Sequence, residues 1–274
     1  MFPKLTWTYP QGRTRAVTFS YDDGAIFDRK VVDCLNRHGM KGTFNLNSAL
    51  ILDDKQEGVI VRAEEIPSLY EGHEVAVHAV HHPFLERLNA GQILAELLED
   101  RRNLERIVHY PVTGMAFPFG TWNQEVLSQM KAAGITYART TEAQNNFLLP
   151  ENWLLWHPTC HHADALPLVE KFRNQKYPLA LFYIWGHSYE FDRQNNWELL
   201  EQICDALPQD NLTWYATNGQ IQRYLQAIHS LVFTTDLDAI YNPTDQTLWF
   251  LNESTNTLET LSPGKTKEVG GRRE

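Results

Sequence analysis

Between residues 15 and 230, apolar runs of strand length alternate with helical patterns, and this alternation restricts the fold more than any other property of the chain. The run "AVTFSY" precedes a helix near "FDRKVVDCLNRHG"; "GTFNLN" follows, then "HEVAVHAV" and the long helix "NAGQILAELLEDRRNLERIV". In that helix Ile93, Leu97, Leu98, Leu104 and Ile107 form the apolar stripe, Asn89 is placed as N-cap, and the Glu and Arg residues belong on a solvated face. The pattern continues through "VTGMAFPFG", "NQEVLSQMKAAG", "ITYART", "LALFYIWGH", "WELLEQICDAL", "LTWYAT" and "NGQIQRYLQAIHSL". Such repetition predicts an α/β fold with a mainly parallel sheet, open or closed into a barrel, and functional loops at the C-terminal ends of its strands.

Beyond residue 232 the helical periodicity stops, and short strand-like runs are separated by Asn, Pro, Asp and Gly turns. The expected organisation is one large domain over residues 1–232, a small β appendage over 233–265 and a disordered tail over 266–274. A formal charge of -10 argues against general binding to nucleic acid, which depends on Lys and Arg neutralising phosphates. No run approaches the roughly 18 apolar residues of a membrane span, and "MFPKLTWTYPQGR" lacks a basic region followed by an apolar stretch. The expectation is a soluble, cytoplasmic protein with no membrane partner. Cys34, Cys160 and Cys204, widely spaced and odd in number, fit reduced thiols in packing positions better than a disulfide framework.

The first strand ends in Asp22, Asp23 and Gly24. Adjacent side chains on a straight strand point to opposite faces, so two acids serve one site only if the backbone turns there, which Gly24 permits. Close carboxylates repel unless a cation or shared proton relieves them, and a metal held by one leaves the other free as a base. Histidine ligands are then expected elsewhere. His78 and His82 stand four apart at the end of another apolar strand, where one helical turn would bring them to the same side. Asp23, His78 and His82 are the candidate metal ligands, a set that suits zinc or a similar divalent ion and leaves coordination positions open. His81, three residues after His78, is expected to pack or to support the ligands.

With these residues in view, the chain resembles the polysaccharide deacetylases of the NodB-homology group, carbohydrate esterase family 4, over most of residues 14–230. The family's first motif, T-F-D-D-G, is matched by Ser20-Tyr21-Asp22-Asp23-Gly24, and its second, H-S/T-x-x-H-P, by His78-Ala79-Val80-His81-His82-Pro83. The third, R-P-P-Y-G, corresponds to Ala116-Phe117-Pro118-Phe119-Gly120, which lacks the arginine. In the family that arginine steadies the catalytic aspartate; here Arg139, in "TYART", either takes its place from another strand end or is a surface residue. The last motif, L-x-x-H, appears as Ile184-Trp185-Gly186-His187. The fourth, an Asp and Trp cluster, has no clean counterpart: Trp153, Trp156, His161, His162 and Asp164 are all available, and spacing does not choose among them.

The resemblance implies a distorted (β/α) barrel and a metal-dependent hydrolase acting on an acetylated sugar or oligosaccharide. It implies one divalent ion, zinc first, with cobalt, manganese or nickel as alternatives. Asp22 would be the general base, His187 the general acid, and the backbone N–H of Phe119 the donor to the oxyanion. Pro118, Trp122, Trp185 and Glu190 are candidate substrate contacts, with core packing as the alternative for the tryptophans and orientation of His187 as the alternative for Glu190. Two other readings are a hydrolase of a non-sugar amide on the same fold and a carbohydrate-binding protein without activity. A serine or cysteine hydrolase is disfavoured, because no G-x-S-x-G elbow is present and Cys160-His161-His162 are merely adjacent.

Overall fold

In the computed structural model, which describes residues 4–269, strands and helices alternate as the pattern requires. The strands are β1 (Leu5–Thr8), β2 (Arg15–Asp22), β3 (Gly42–Leu46), β4 (Glu74–Val77), β5 (Gly114–Ala116), β6 (Tyr137–Arg139), β7 (Cys160–His161), β8 (Ala180–His187), β9 (Thr213–Tyr215), β10 (Val232–Phe233), β11 (Ala239–Tyr241), β12 (Leu248–Asn252), β13 (Thr257–Leu261) and β14 (Thr266–Glu268). The helices are α1 (Asp28–Arg37), α2 (Ser48–Ile51), α3 (Ile66–Leu69), α4 (Ala90–Val108), α5 (Gln124–Ala132), α6 (Leu166–Arg173), α7 (Ser188–Arg193), α8 (Glu198–Ala206) and α9 (Asn218–His229).

Strand β2 is buried along its whole length and lies within a parallel sheet of order β6-β5-β4-β3-β2-β8-β7. On one edge it pairs with β8 from Arg15↔Ala180 to Asp22↔His187. Its other edge is shared, with β9 along Arg15–Val17 and β3 along Phe19–Asp22. A bridge from Arg139, at the end of β6, to Trp156, just before β7, links the two ends of this order, so the strands curl into a distorted barrel.

Side-chain alternation divides the interior. On β2, Val17, Phe19 and Tyr21 join the main apolar core, as Phe182 and Ile184 do on β8. Removing each such side chain from water stabilises the fold by about 1.5–3 kcal/mol. The opposite face carries Ala16, Leu181 and Tyr183 in a second cluster with Tyr137 and Trp156. Continuing toward the strand C-termini, the same parity places Thr18, Ser20 and Asp22 on that second face, all buried. Helix α4 follows its expected stripe: Asn89 and Gln92 form a reciprocal capping box, Ile93, Leu97 and Leu104 are buried, and Leu98 and Ile107 pack half-buried against the core. Asp100 is buried as well.

The end of the chain departs from expectation. Strands β12 and β13 form a sheet with β1, in register from Leu5↔Asn252 to Thr8↔Trp249, so the N-terminal segment assigned to the large domain pairs with the C-terminal strands. Residues 266–268, expected in a tail, form β14 on the edge of β11, and β10 completes that sheet. Ile240, Phe250 and Leu261 supply a small core for these strands, which is why they are ordered. Val269 follows, its N–H donating to the carbonyl of Asp238 at 2.7 Å, and residues 270–274 lie outside the described residues. No helix among the described residues is long and apolar enough to cross a membrane.

Candidate metal and catalytic site

The two adjacent acids reach one site through the backbone that was anticipated, with an extra step. Asp22 ends β2 on the inner face, and Asp23 itself takes a left-handed conformation, φ +76°, before Gly24 at +63°. An aspartate tolerates that region better than a bulky residue, and strain of this kind persists where the surroundings fix it. The turn brings Asp22 and Asp23 both within reach of His78 Nε2, at 3.8 and 3.6 Å.

Asp22 is held from two sides. Arg139, completely buried, makes an ion pair with Asp22 Oδ2, and Asn45 Nδ2 donates to Oδ1 at 2.8 Å. Arg139 therefore enters from the end of β6 as one of the two expectations required. Its guanidinium also lies 4.3 Å over the Trp185 ring and donates to the carbonyl of Thr140 at 3.1 Å. Burial pushes the Asp22 carboxyl upward, but Arg139, His78 and His187 together outweigh it and hold the group below its ordinary value. Asn45 was not singled out from sequence; its signal was a polar residue inside the apolar run "GTFNLN".

His78 and His82 converge on the other acid. Asp23 Oδ1 is 3.6 Å from His78 Nε2 and 3.8 Å from His82 Nε2, and the two rings are 4.7 Å apart. His78 Nδ1 donates to the carbonyl of Ala116 at 2.8 Å, which turns the Nε2 lone pair toward Asp23. The expected helical turn between these histidines is not formed: Ala79 has φ +61° and His82 φ +52°, and a tight irregular loop aligns them. Two buried groups clamp that loop. Asp100 accepts from the His78 amide at 3.0 Å, and Asn47 Nδ2 donates to the carbonyls of His78 and Ala79 at 2.6 and 2.9 Å. One carboxylate and two imidazoles, with donor atoms all within 4.8 Å of one another, fit a divalent ion of the zinc type.

His187 faces the acids from β8, its Nε2 4.0 Å from Asp22 and 3.9 Å from Asp23. Its Nδ1 lies 3.3 Å from Glu190 Oε1, and His161 Nε2 donates to the second oxygen of Glu190 at 2.8 Å. Burial alone would lower the His187 value, yet the bond to Glu190 and the charges of Asp22 and Asp23 hold it above the ordinary one. Glu190 thus sits where it orients His187, and among the residues that spacing left open His161 joins this chain of groups, with His162 Nε2 3.4 Å from the same Glu190 oxygen. His162 is also buried against Phe191, rings 4.2 Å apart, and burial followed by the neighbouring His161 pushes it down to about 3. Gly186 is required by that packing, because a Cβ there would lie 2.0 Å from His162 Nδ1.

Pro118 is buried at the start of a short turn that leaves Phe119 at φ +59° with its ring half exposed. That ring stacks on Phe84 at 3.8 Å and edges His82 at 4.4 Å. A cavity of about 580 Å³, lined by Asp23, His82, Ile60, Tyr189 and Arg193 among others, opens beside the acids. Trp185 touches Arg139 and His187, whereas Trp122 packs half-buried against the main core, in keeping with the packing alternative. Trp153 and Trp156 pack on each other in the second apolar cluster. His81 lies outside the site, exposed and paired with Glu96 at 2.8 Å, and His157 bonds the hydroxyl of Thr140.

The barrel carries two acids, two histidines and an opposed histidine at its strand ends, and comparison with known proteins shows what it is similar to. The family model for polysaccharide deacetylase matches residues 10–138. A chitooligosaccharide deacetylase of Bradyrhizobium sp. (strain ANU 289) is 29% identical over 125 residues, 44% of this chain and 54% of that protein. A peptidoglycan-N-acetylglucosamine deacetylase, PgdA, of Listeria monocytogenes is 26% identical over 136 residues, 48% of this chain and 28% of that protein. The matched segments thus span about half, or less, of these relatives' lengths. In fold, a putative polysaccharide deacetylase from Mycobacterium smegmatis superposes with a TM-score of 0.58 at 16% identity, over 84% of this chain and 95% of that one. Over residues 10–138, just under half of its length, the chain is thus similar to the polysaccharide deacetylases, and its barrel has their fold.

Proposed function

We propose that this protein removes acetyl groups from an N-acetylated carbohydrate, with Asp23, His78 and His82 holding a divalent ion, zinc in the first instance. The observation that carries the reading is the contrast between the adjacent acids: Asp22 is clamped by Arg139 and Asn45, while Asp23 turns toward two imidazoles. When bound, such an ion supplies Lewis-acid polarisation of the acetyl carbonyl and a lowered pKa for water.

The chain's own groups then divide the proton work. Asp22, oriented by two donors that leave it ionised, takes the proton from the attacking water. The backbone N–H of Phe119 donates to the oxygen that gains charge. His187, whose hold on a proton the bond to Glu190 strengthens, is placed to pass a proton to the departing sugar nitrogen. Phe119 stacked on Phe84 forms an apolar ledge suited to the face of a sugar ring, and the neighbouring cavity has room for one. N-acetylglucosamine oligomers are the favoured substrates because relatives that act on chitooligosaccharide and peptidoglycan N-acetylglucosamine match this chain.

The test is acetate release from a panel of N-acetylated and O-acetylated sugars by metal-stripped protein, with and without added zinc or cobalt. Zinc- or cobalt-dependent release from N-acetylated oligomers supports the reading. Release only from O-acetyl esters, or none despite stoichiometric metal uptake, overturns it.

A further inference from the structure

We infer that Cys34, Cys204 and His38 form a second, thiolate-containing metal site, separate from the acid and histidine cluster and built between α1 and α8. Cys34 Sγ lies 3.7 Å from Cys204 Sγ and 3.9 Å from His38 Nδ1, and the three donor atoms all fall within 4.8 Å of one another. Tetrahedral zinc, with bonds of about 2.3 Å to sulfur and about 2.0–2.1 Å to nitrogen, has S···S and S···N edges of about 3.8 and 3.6 Å. The two closest pairs already stand near those edges.

The surroundings complete the arrangement. His38 Nε2 lies 3.0 Å from Asp205 Oδ1, the carboxylate support that ligating imidazoles commonly have on their far nitrogen. His38 Nδ1 at present lies 2.9 Å from the carbonyl of Cys34, so a small ring rotation releases it to the ion. Both thiols are buried, which protects a bound ion from exchange, while a cavity of about 490 Å³ lined by Cys34, Arg37, Trp197 and Glu201 gives access from the surface. Binding releases the two thiol protons and leaves one coordination position for water. Two thiolates and an imidazole select zinc or another borderline-soft ion over magnesium or calcium. The ion would fasten α1, the helix that follows the Asp22–Asp23 turn, to α8.

The experiment is an anaerobic cobalt titration of the reduced full chain, after thiol counting in denaturant has confirmed all three cysteines free. Thiolate ligation gives an intense near-ultraviolet charge-transfer band that a site of one carboxylate and two imidazoles cannot give. The expected result is two equivalents of cobalt per chain with that band, one equivalent without it in Cys204→Ala, a weakened band in His38→Gln, and a retained band in Asp23→Asn. Circular dichroism establishes that each variant is folded, and the His38→Gln and Asp23→Asn results stand independently of whether Cys204→Ala folds. Absence of the band in reduced wild type, or its persistence in both Cys204→Ala and His38→Gln, overturns the proposal.

Discussion

Asp22 and His187 are direct partners in the parallel register of β2 and β8, with His187 Nε2 4.0 Å from Asp22 Oδ2. That separation exceeds a hydrogen bond, so the two groups act on each other through charge alone, His187 lowering Asp22 and Asp22 raising His187. The ladder fixes their relative position, and each has a different hydrogen-bonding neighbour as well: Asp22 has Arg139, His187 has Glu190.

Arg139 is the test of how Asp22 is held. Substituting Met keeps the volume but leaves a buried carboxylate without its cation, a change expected to cost about 3–5 kcal/mol. Chemical denaturation should show this loss for Arg139→Met, and Arg139→Met with Asp22→Asn should recover most of it. A loss below about 1 kcal/mol in the single variant would show that the ion pair is not what holds Asp22 in place.

Gly186 sits where a Cβ would meet His162. Gly186→Ala is expected to destabilise the protein by about 1–3 kcal/mol through overpacking. Adding His162→Ala should return part of that loss, giving a coupling energy above about 0.5 kcal/mol in a double-mutant cycle. Simple additivity would contradict the contact.

Asp28 gives the fold a pH dependence of its own. Its carboxyl accepts from Ser188 Oγ at 2.5 Å and Tyr70 OH at 2.7 Å, but burial, the largest influence, pushes it up to about 7. The unfolded chain releases this proton near pH 4, so between roughly pH 4 and 7 the folded state binds more protons, and stability falls as pH rises through that window. Asp28→Asn lacks the titration. The stability of Asp28→Asn relative to wild type should therefore climb from pH 4 to 7 and level off above; a constant difference across that range would remove Asp28 as the source.

Phe119 contributes its ring to the proposed ledge and its backbone to the oxyanion. Phe119→Ala removes only the ring, so KM for N-acetylated oligomers should rise about tenfold, near 1.4 kcal/mol, with kcat changing less. Steady-state kinetics decide this, and an unchanged KM would place the sugar elsewhere in the cleft.

How much of this was legible in the sequence depends on the range of the interaction. The buried runs of β2 and β8, the cap at Asn89 and the acids beside a glycine are local patterns, read from neighbouring residues. Arg139 was named only as a candidate, because its partner lies 117 residues away and no pattern records that pairing. Asn45, Asn47 and Asp100 escaped notice because a polar residue in an apolar stripe looks like a defect until its bonding partners are known. The His78–His82 loop was read as a helical turn because left-handed backbone at Ala79 and His82 has no residue signature such as glycine. Pairing of β1 with β12 joins the two ends of the chain and is equally silent in local sequence.

The most direct measurement of the central claim, that the two adjacent acids do different jobs, is zinc content and acetate release measured together for Asp22→Asn and Asp23→Asn. The account predicts that Asp22→Asn keeps near-stoichiometric metal at the Asp23–His78–His82 cluster and loses turnover at least a hundredfold. Asp23→Asn should lose turnover and the metal of that cluster, one zinc per chain fewer than Asp22→Asn. Equal metal loss in the two variants, or turnover retained in Asp22→Asn, would contradict it.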